Sequence, residues 1–284
     1  MVGSTRQAFL QFWGAFAQIT TFHLGADAEL VVQIDAAVPH PLLDAADQAG
    51  DCFVKMQAQQ IPGLALAVIK DGQIVIAKGY GLANVEHQVP VKPETIFQSG
   101  SMGKQFTAMA IMILAERKRL SYDDNLASFF PGFPEYGKQI TVRQLLNHTS
   151  GIIAYEDVMD EKATVPLTDQ DVLELMKQQD HTNFPPGSTY RYSNSGYVLL
   201  GLIVEKASGM SFPEFLRQNI FAPLKMKGTV LYHRDDRSDE AHRAYGYSKR
   251  GDVFVRTDQS LTSSTRGDGS IYSSVADLYK WDQG

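Results

Sequence analysis

Residues 97–104 read Phe-Gln-Ser-Gly-Ser-Met-Gly-Lys, and this stretch decides how the rest of the chain is interpreted. It leads into an apolar-rich segment that predicts a long helix from about Ser101 to Lys118. A serine and a lysine three positions apart lie on one face of a helix, one turn from each other. A neutral lysine amine in that position can take the serine proton. The positive potential of a helix N-terminus favours the neutral amine and stabilises negative charge that develops near the serine.

The triplet Tyr192-Ser193-Asn194 is the second element with chemical character. It follows a turn at 185–187 and precedes a segment, 194–207, that is apolar on nearly every side and predicts a buried helix. A phenol held near a lysine can act as a general base and then return the proton to a leaving group, and Asn194 can donate to a substrate carbonyl. The structural alternative makes Tyr192 a core aromatic and Asn194 the N-cap of the helix. We expect the cap role in either case.

The surrounding sequence predicts a sheet domain interrupted by a helical domain. Two β-rich runs at 64–69 and 74–77 flank Asp71-Gly72, which is typical of a hairpin. Helices are expected at 41–60, 141–147, 167–178, 194–207, 211–221 and 273–281, and strands at 228–232, 244–248 and 253–256. We therefore expect an α/β (α+β) fold with three parts. These are an N-terminal extension over 1–41, a sheet-containing domain over 42–100 and 228–284, and a mainly helical domain over 101–227.

Composition excludes several classes of function. Hydrophobic residues make up 44% of the chain and charged residues 20%, which is typical of a globular protein and not of a disordered one. The 26 Lys and Arg against 32 Asp and Glu give a net charge of −6 without a basic block, so nucleic acid is not an expected partner. Cys52 is the only cysteine, and no HExxH pattern occurs among the histidines. We expect neither a metal nor an organic cofactor.

The N-terminal segment allows two interpretations. An apolar run at 8–17 follows Arg6, and Ala26-Asp27-Ala28 offers a cleavage-like site, as in a secretory signal peptide. Polar residues and a glycine interrupt the run, which favours an amphipathic helix packed on the protein body. No stretch reaches the about 20 apolar residues that span a bilayer. Localisation therefore stays open between the cytoplasm and a periplasmic or secreted site.

The combination of Ser-x-x-Lys at Ser101 with Tyr-x-Asn at Tyr192 resembles the serine β-lactamase and penicillin-binding protein superfamily. The likeness is to its class C-like branch, which includes family VIII carboxylesterases and D-amino-acid peptidases. It extends over roughly residues 42 to 284, through the stretches 63–68, 79–84, 145–151, 197–201 and 267–281. The resemblance implies an antiparallel sheet with flanking helices, plus a helical domain. It also implies hydrolysis through an acyl-enzyme, with Ser101 as nucleophile, Lys104 and Tyr192 as proton relay and Asn194 in substrate binding.

The third motif of that superfamily, a Lys- or His-x-Gly triplet on a late strand, has no evident counterpart. Lys70-Asp71-Gly72 is the predicted hairpin turn, and Lys249-Arg250-Gly251 lies between short strands and predicts a hairpin loop. We interpret the chain as truncated at its C-terminus, with an incomplete sheet. The hairpin at 64–78 would then keep an unpaired edge, with residues 30–34 as a further candidate strand. Such an edge predicts weak stability, a homo-oligomer or strands supplied by another polypeptide.

Two functions from different classes are consistent with these residues. The first is a serine hydrolase that uses the Ser101 N–H as half of an oxyanion hole. Its small-molecule substrate is expected to be an ester, because an alkoxide leaving group needs the least assistance from a site that lacks the third motif. D-amino-acid peptides or amides and β-lactams are the alternatives. The second is a non-catalytic scaffold or interaction protein, which the missing motif favours and the intact Ser101, Lys104 and Tyr192 oppose.

His148 invites interpretation as part of a Ser-His-Asp triad. However, no serine stands in the Gly-x-Ser-x-Gly pattern of an α/β-hydrolase. We expect His148 to fix a loop through hydrogen bonds.

Overall fold

The computed structural model describes residues 18–20, 33–35, 61–160, 162–231 and 243–284. The chain divides into two compact units, one formed by 1–97, 238–258 and 273–284 and the other by 98–237 and 259–272. The predicted helix at 41–60 and the apolar run at 8–17 lie outside the described residues. The domain boundaries inferred from the sequence stay a prediction.

Within the described part of the first unit the strands form antiparallel pairs, and the predicted hairpin is one of them. Strand β1 (Gln18–Thr20) pairs with β2 (Gln33–Asp35), which overlaps the candidate strand at 30–34. Strands β3 (Leu64–Lys70) and β4 (Gln73–Tyr80) form the hairpin around Asp71-Gly72. Asp71 and Gly72 have φ angles of 51° and 70°, the positive values that a tight two-residue hairpin turn requires.

Strand β3 is buried on both faces, whereas β4 is largely exposed. Ala65 and Ala67 pack in one apolar cluster, and Leu64, Leu66 and Val68 in another. The C-terminal helix of the unit, Val275–Asp282, contributes to the first cluster, and its Tyr279 hydroxyl donates to the Gly72 carbonyl at 2.9 Å. Among the described strands the β3–β4 sheet has two members, so the predicted self-association through its edge stays a prediction.

The other described strands are short and form two strand pairs and one three-stranded sheet. Strand β5 (Leu82–Asn84) pairs with β6 (Val89–Pro90), and β9 (Tyr247–Arg250) pairs with β10 (Val253–Arg256). The β9–β10 turn contains Gly251 with φ 62°, so Lys249-Arg250-Gly251 belongs to a hairpin, as predicted. Strands β7 (Phe97–Gln98), β8 (Val230–Leu231) and β11 (Ile271–Ser273) form a three-stranded sheet in the order β7-β11-β8.

The second unit is mainly helical. Its helices are α1 (Lys104–Glu116), α2 (Leu126–Phe129), α3 (Val142–Leu146), α4 (Asp169–Lys177), α5 (Asn194–Ser208) and α6 (Phe212–Leu216), which continues as one π-helical turn, Arg217–Phe221. Helix α7 (Val275–Asp282) belongs to the first unit. None of the described helices combines the length and hydrophobicity needed to cross a lipid bilayer.

Helix α5 forms the core of the second unit, as its sequence predicts. Val198, Leu199, Leu200, Ile203 and Val204 have no exposed surface. The helix ends at Ser208 and is capped by Gly209, whose φ of 76° is the left-handed conformation that closes a helix without a Cβ clash. Helix α1 packs on α5. This contact joins the two segments that carry the sequence motifs.

The start of the long helix differs from the prediction. Gly100–Gly103 form a 3₁₀ turn, and the α-helix begins at Lys104 and ends at Glu116, two residues before the predicted end. Two glycines bracket the turn, and Gly100 has φ 52°, which an α-helix does not accommodate. Ser101 therefore lies in the tighter turn that leads into α1.

Candidate active site

Ser101 and Lys104 meet as their spacing predicts. The Lys104 amine nitrogen, Nζ, lies 3.2 Å from the Ser101 hydroxyl oxygen, Oγ. Ser101 is exposed, whereas Lys104 is only 6% exposed. The 3₁₀ turn thus presents an accessible hydroxyl beside a buried amine.

Tyr192 completes the predicted group of three. Its hydroxyl donates a hydrogen bond to Ser101 Oγ at 2.7 Å, and Lys104 Nζ lies 4.9 Å from the centre of its ring. The side chain is 45% exposed, so Tyr192 is not the buried core aromatic of the structural alternative. The Ser101 oxygen therefore contacts two groups that can hold or release a proton.

Asn194 binds the lysine, but it does not cap the helix. Its Oδ1 accepts from Lys104 Nζ at 2.8 Å, and its Nδ2 donates to Glu156 Oε1 at 2.6 Å. The N-cap of α5 is Ser193, whose hydroxyl accepts from the Gly196 N–H at 3.0 Å. The predicted capping role was wrong by one residue. Asn194 is already the first helical residue, and its side chain is directed to the lysine.

A third oxygen on the lysine comes from a residue that the sequence analysis did not assign. The backbone carbonyl of Asp268 accepts from Lys104 Nζ at 2.6 Å. Together with Ser101 Oγ and Asn194 Oδ1 it gives the amine three acceptors, the number that an ammonium group can satisfy. Asp268 and Glu156 are therefore members of the site. The only sequence signal for Asp268 was its place in the family-like stretch 267–281.

Burial governs the proton affinities in this group. It lowers the pKa of Lys104 to about 8, and the carboxylates of Asp268 and Glu156 oppose that effect. Burial also raises the pKa of Tyr192, against the opposing effect of its hydrogen bond to Ser101. Near neutral pH the phenol is therefore protonated, while the amine is close enough to its pKa to exchange a proton.

His148 supports the loop that carries Tyr192. Its Nδ1 accepts from the Ser193 N–H at 3.2 Å, and its carbonyl accepts from the Arg191 N–H at 2.9 Å. Its ring lies 4.6 Å from that of Tyr192, centre to centre. Burial, aided by the Lys104 charge, lowers the pKa of His148 to about 4, so the ring is neutral near pH 7 and Nδ1 can accept. These contacts agree with the structural role predicted for His148.

The four residues proposed from sequence, Ser101, Lys104, Tyr192 and Asn194, thus lie within one polar cluster of the second unit. Over residues 61–160, 162–231 and 243–284, no group of three His, Cys, Asp or Glu side chains is arranged to hold a metal ion.

Comparison with known proteins identifies the family that shares this fold. Residues 49–284 match the Beta-lactamase family model, so the chain belongs to the β-lactamase family, as the motifs predict. The chemistry that this membership implies is hydrolysis through an acyl-enzyme on serine. The mixed architecture of helices and antiparallel sheet predicted from the sequence is confirmed.

Particular relatives are penicillin-binding proteins and an amidase. Penicillin-binding protein 4* of Bacillus subtilis (strain 168) is 33% identical over 243 residues, which are 80% of this chain and 52% of the relative. The octameric penicillin-binding protein homologue from Pyrococcus abyssi has a TM-score of 0.71 at 34% identity, over 84% of this chain and 55% of that one. D-amino acid amidase from Ochrobactrum anthropi SV3 has a TM-score of 0.71 at 26% identity, over 84% and 69%. The chain spans about half the length of the curated relatives it matches.

Proposed function

We propose that this chain is a serine hydrolase in which Ser101 is the nucleophile. The observation that carries the proposal is the pair of contacts on Ser101 Oγ, from Tyr192 at 2.7 Å and from Lys104 at 3.2 Å. A serine hydroxyl is a weak nucleophile until a neighbouring group takes its proton. An exposed serine with two proton-handling groups on its oxygen meets that need.

Ser101, Lys104 and Tyr192 carry the bond-making and proton-transfer steps of the proposed reaction. Ser101 Oγ attacks the substrate carbonyl carbon while the neutral Lys104 amine takes the hydroxyl proton. As the bond between the carbonyl carbon and the leaving group breaks, the Tyr192 phenol gives its proton to the leaving group. Lys104 then passes the proton that it took from Ser101 to the Tyr192 phenolate. Water then attacks the acyl-serine, and the same groups carry the proton back to Ser101 Oγ. No net proton is gained or lost by the protein.

Asn194 and the backbone of Ser101 stabilise the substrate oxygen in this proposal. An amide nitrogen carries two hydrogens, and Glu156 takes one of those on Asn194 Nδ2, which leaves the second to orient the substrate carbonyl. The Ser101 N–H supplies one half of an oxyanion hole. A single such donor contributes about 10²–10³ in rate in a well-studied hydrolase.

We propose an ester as the substrate class, with a D-amino-acid amide or a β-lactam as the alternatives. An alkoxide leaves more readily than an amide nitrogen, so an ester needs less from the proton relay. The likeness to D-amino acid amidase favours including an amide in the test. A comparison of kcat/KM for p-nitrophenyl acetate, a D-amino-acid amide and a penicillin decides among the three. A larger kcat/KM for the amide or the penicillin would overturn the ester assignment.

The test that separates a hydrolase from a non-catalytic scaffold is turnover of p-nitrophenyl acetate by the wild type and by Ser101→Ala. We expect turnover to be lost in Ser101→Ala and kept in Ser188→Ala, which removes the hydroxyl of another exposed serine of the same unit. If the wild type is no faster than Ser101→Ala, the scaffold function replaces the hydrolase.

A further inference from the structure

The carboxyl group of Asp268 is buried, and one of its two oxygens lacks the hydrogen bonds that normally accompany burial. The residue is 7% exposed, and its Oδ1 has no hydrogen-bond partner within the described residues. Its Oδ2 lies 3.5 Å from the Tyr155 hydroxyl, and hydrogen bonds from the Thr265 side chain and from the backbone of Asp268 itself favour the ionised carboxyl group. Burying an ionised carboxylate is costly unless a charge or hydrogen bonds compensate. A neighbouring positive charge is therefore needed to compensate the ionised carboxyl group.

The same residue holds the lysine of the active site through its backbone. The Asp268 carbonyl contacts Lys104 Nζ at 2.6 Å, the shortest of the three contacts on that amine. Because the backbone carbonyl of Asp268 binds the Lys104 amine, the side chain of Asp268 starts close to that amine in each of its rotamers. Covalent connection to that carbonyl thus keeps the carboxyl group in the neighbourhood of Lys104.

The segment around Asp268 cannot move away from the lysine easily. The Gly267 carbonyl accepts from the Thr107 hydroxyl at 2.7 Å. A Cβ at Gly267 would lie 2.2 Å from the Tyr197 carbonyl oxygen, so the segment runs directly against α5. The Ser270 hydroxyl lies 2.8 and 2.6 Å from the Ser263 and Thr265 carbonyl oxygens, which share its single proton. The backbone is therefore held on both sides of residue 268.

Several charged groups among the described residues act on Asp268 and Lys104. Burial raises the pKa of Asp268 to about 6, and Lys104 opposes that effect. Asp169 raises it further, but Asp169 is itself paired with the Arg266 guanidinium, whose Nε lies 2.8 Å from its Oδ2, and it accepts the Arg266 backbone N–H at 2.8 Å. Glu156 acts on Lys104 and on the neighbouring Tyr155 phenol. Lys104 is thus the cation that compensates the Asp268 carboxylate.

We propose that Asp268 is a positioning residue whose buried carboxylate retains the proton on Lys104 and thereby sets the pH at which Ser101 can be acylated. The effect on acylation rests on the proposed function, whereas the effect on the Lys104 proton does not. While Asp268 is ionised, the ammonium form of Lys104 is stabilised and the neutral amine forms only at higher pH.

The direct test is the titration of Lys104, followed by NMR in protein labelled with ¹³C at the lysine ε-carbon. The Lys104 resonance is assigned by its absence in Lys104→Met. Because a nearby opposite charge shifts a pKa by about 1–3 units, Asp268→Asn is expected to lower the Lys104 midpoint by about one pH unit or more. Asp123→Asn removes an equal charge from a side chain that is 76% exposed, and should leave the midpoint unchanged. Equal midpoints in the wild type and Asp268→Asn would overturn the proposal.

The pH dependence of p-nitrophenyl acetate turnover gives the catalytic readout. In Asp268→Asn the rising limb of kcat/KM is expected to move to lower pH by the same amount as the NMR midpoint. A residue with only a structural role would lower the rate at every pH without moving the limb. If the wild type shows no turnover at any pH, the proposed function fails, and the NMR titration still decides the role of Asp268.

The wild-type protein alone provides a test that needs no folded variant. The Lys104 resonance is expected to show a second, smaller inflection near pH 6, where the Asp268 carboxyl titrates. If the Lys104 resonance shows no inflection between pH 4 and the onset of its main titration, the proposed interaction between Asp268 and Lys104 is contradicted. This result counts even if Asp268→Asn fails to fold.

Discussion

The β3–β4 hairpin and the polar cluster around Lys104 are assembled in opposite ways. The hairpin pairs residues that are close in sequence, across the two-residue turn Asp71-Gly72. The cluster joins positions that are 90 residues apart for Lys104 and Asn194, and 164 apart for Lys104 and Asp268. Local sequence is therefore enough to specify the hairpin, whereas the cluster exists only when α5 and the segment 265–270 pack correctly beside α1. We expect changes in this long-range packing to affect catalysis, and changes in local turns to affect only stability.

The largest expected effect is that of Lys104→Met. Methionine keeps helix propensity and most of the bulk but cannot accept the serine proton. We expect acylation of Ser101 to fall by about 10²–10⁴-fold, the usual contribution of a general acid–base group, with the circular dichroism spectrum retained. Lys138→Met, at a side chain that is 62% exposed, is the matched control and should react at the wild-type rate. Acylation of Lys104→Met within about threefold of the wild type would remove the lysine from the relay.

The next effect contrasts two glycines. Gly267→Ala places a Cβ 2.2 Å from the Tyr197 carbonyl oxygen, so the backbone that binds Lys104 must shift. We expect a loss of about 1–3 kcal/mol in the free energy of unfolding together with a lower acylation rate. Gly251→Ala adds a Cβ that meets open space, but the alanine must keep a φ of 62°. We expect this strain to lower the free energy of unfolding by about 1–2 kcal/mol and to leave the acylation rate unchanged. Thermal melts and turnover of both variants measure their losses of stability and of activity. If both variants lose the same activity, the expected difference between the two glycines is contradicted.

The pH dependence of acylation follows from the Lys104 pKa of about 8. The neutral amine is the reactive form, so the rate is expected to rise with pH. From pH 7 to pH 8 its fraction grows from roughly one tenth to one half, which predicts a rate increase of about fivefold. His148, with a pKa of about 4, stays neutral throughout and adds no limb above pH 5. A rate that is flat from pH 6 to pH 9 would contradict the role of the amine.

The smallest effect compares two helix caps. Ser193 caps α5 beside Tyr192, and Thr168 caps α4 in a capping box. Loss of either cap through substitution by alanine is expected to cost about 1 kcal/mol of stability. Only Ser193→Ala should also lower acylation, because its neighbours contact Ser101 and Lys104. Equal activity of the two variants at matched stability would show that the cap does not position the site.

The same contrast explains what the sequence could predict. The hairpin around Asp71-Gly72 and the helices that begin after Thr141 and Thr168 were predicted within two or three residues, because turn and cap residues act locally. The cap of α5 was assigned one residue too late, because serine and asparagine are both favoured at that position. Local preference could not decide between Ser193 and Asn194.

The site was predicted only where side chains carry the chemistry. Ser101, Lys104, Tyr192 and Asn194 have reactive or polar groups in recognisable spacing. Asp268 entered the site through its backbone carbonyl, and any residue has a carbonyl. Glu156 entered through a contact with Asn194 that packing creates across 38 positions. Neither contact has a local sequence pattern that could reveal it.

The central claim is that Ser101 forms the acyl-enzyme, and covalent labelling tests it most directly. The wild type, Ser101→Ala and Lys104→Met are treated with a fluorophosphonate, and the adduct is mapped by mass spectrometry of peptides. We expect one adduct, on Ser101, that is absent from Ser101→Ala and forms more slowly in Lys104→Met. An adduct that survives in Ser101→Ala, or that maps to another residue in the wild type, would contradict the account.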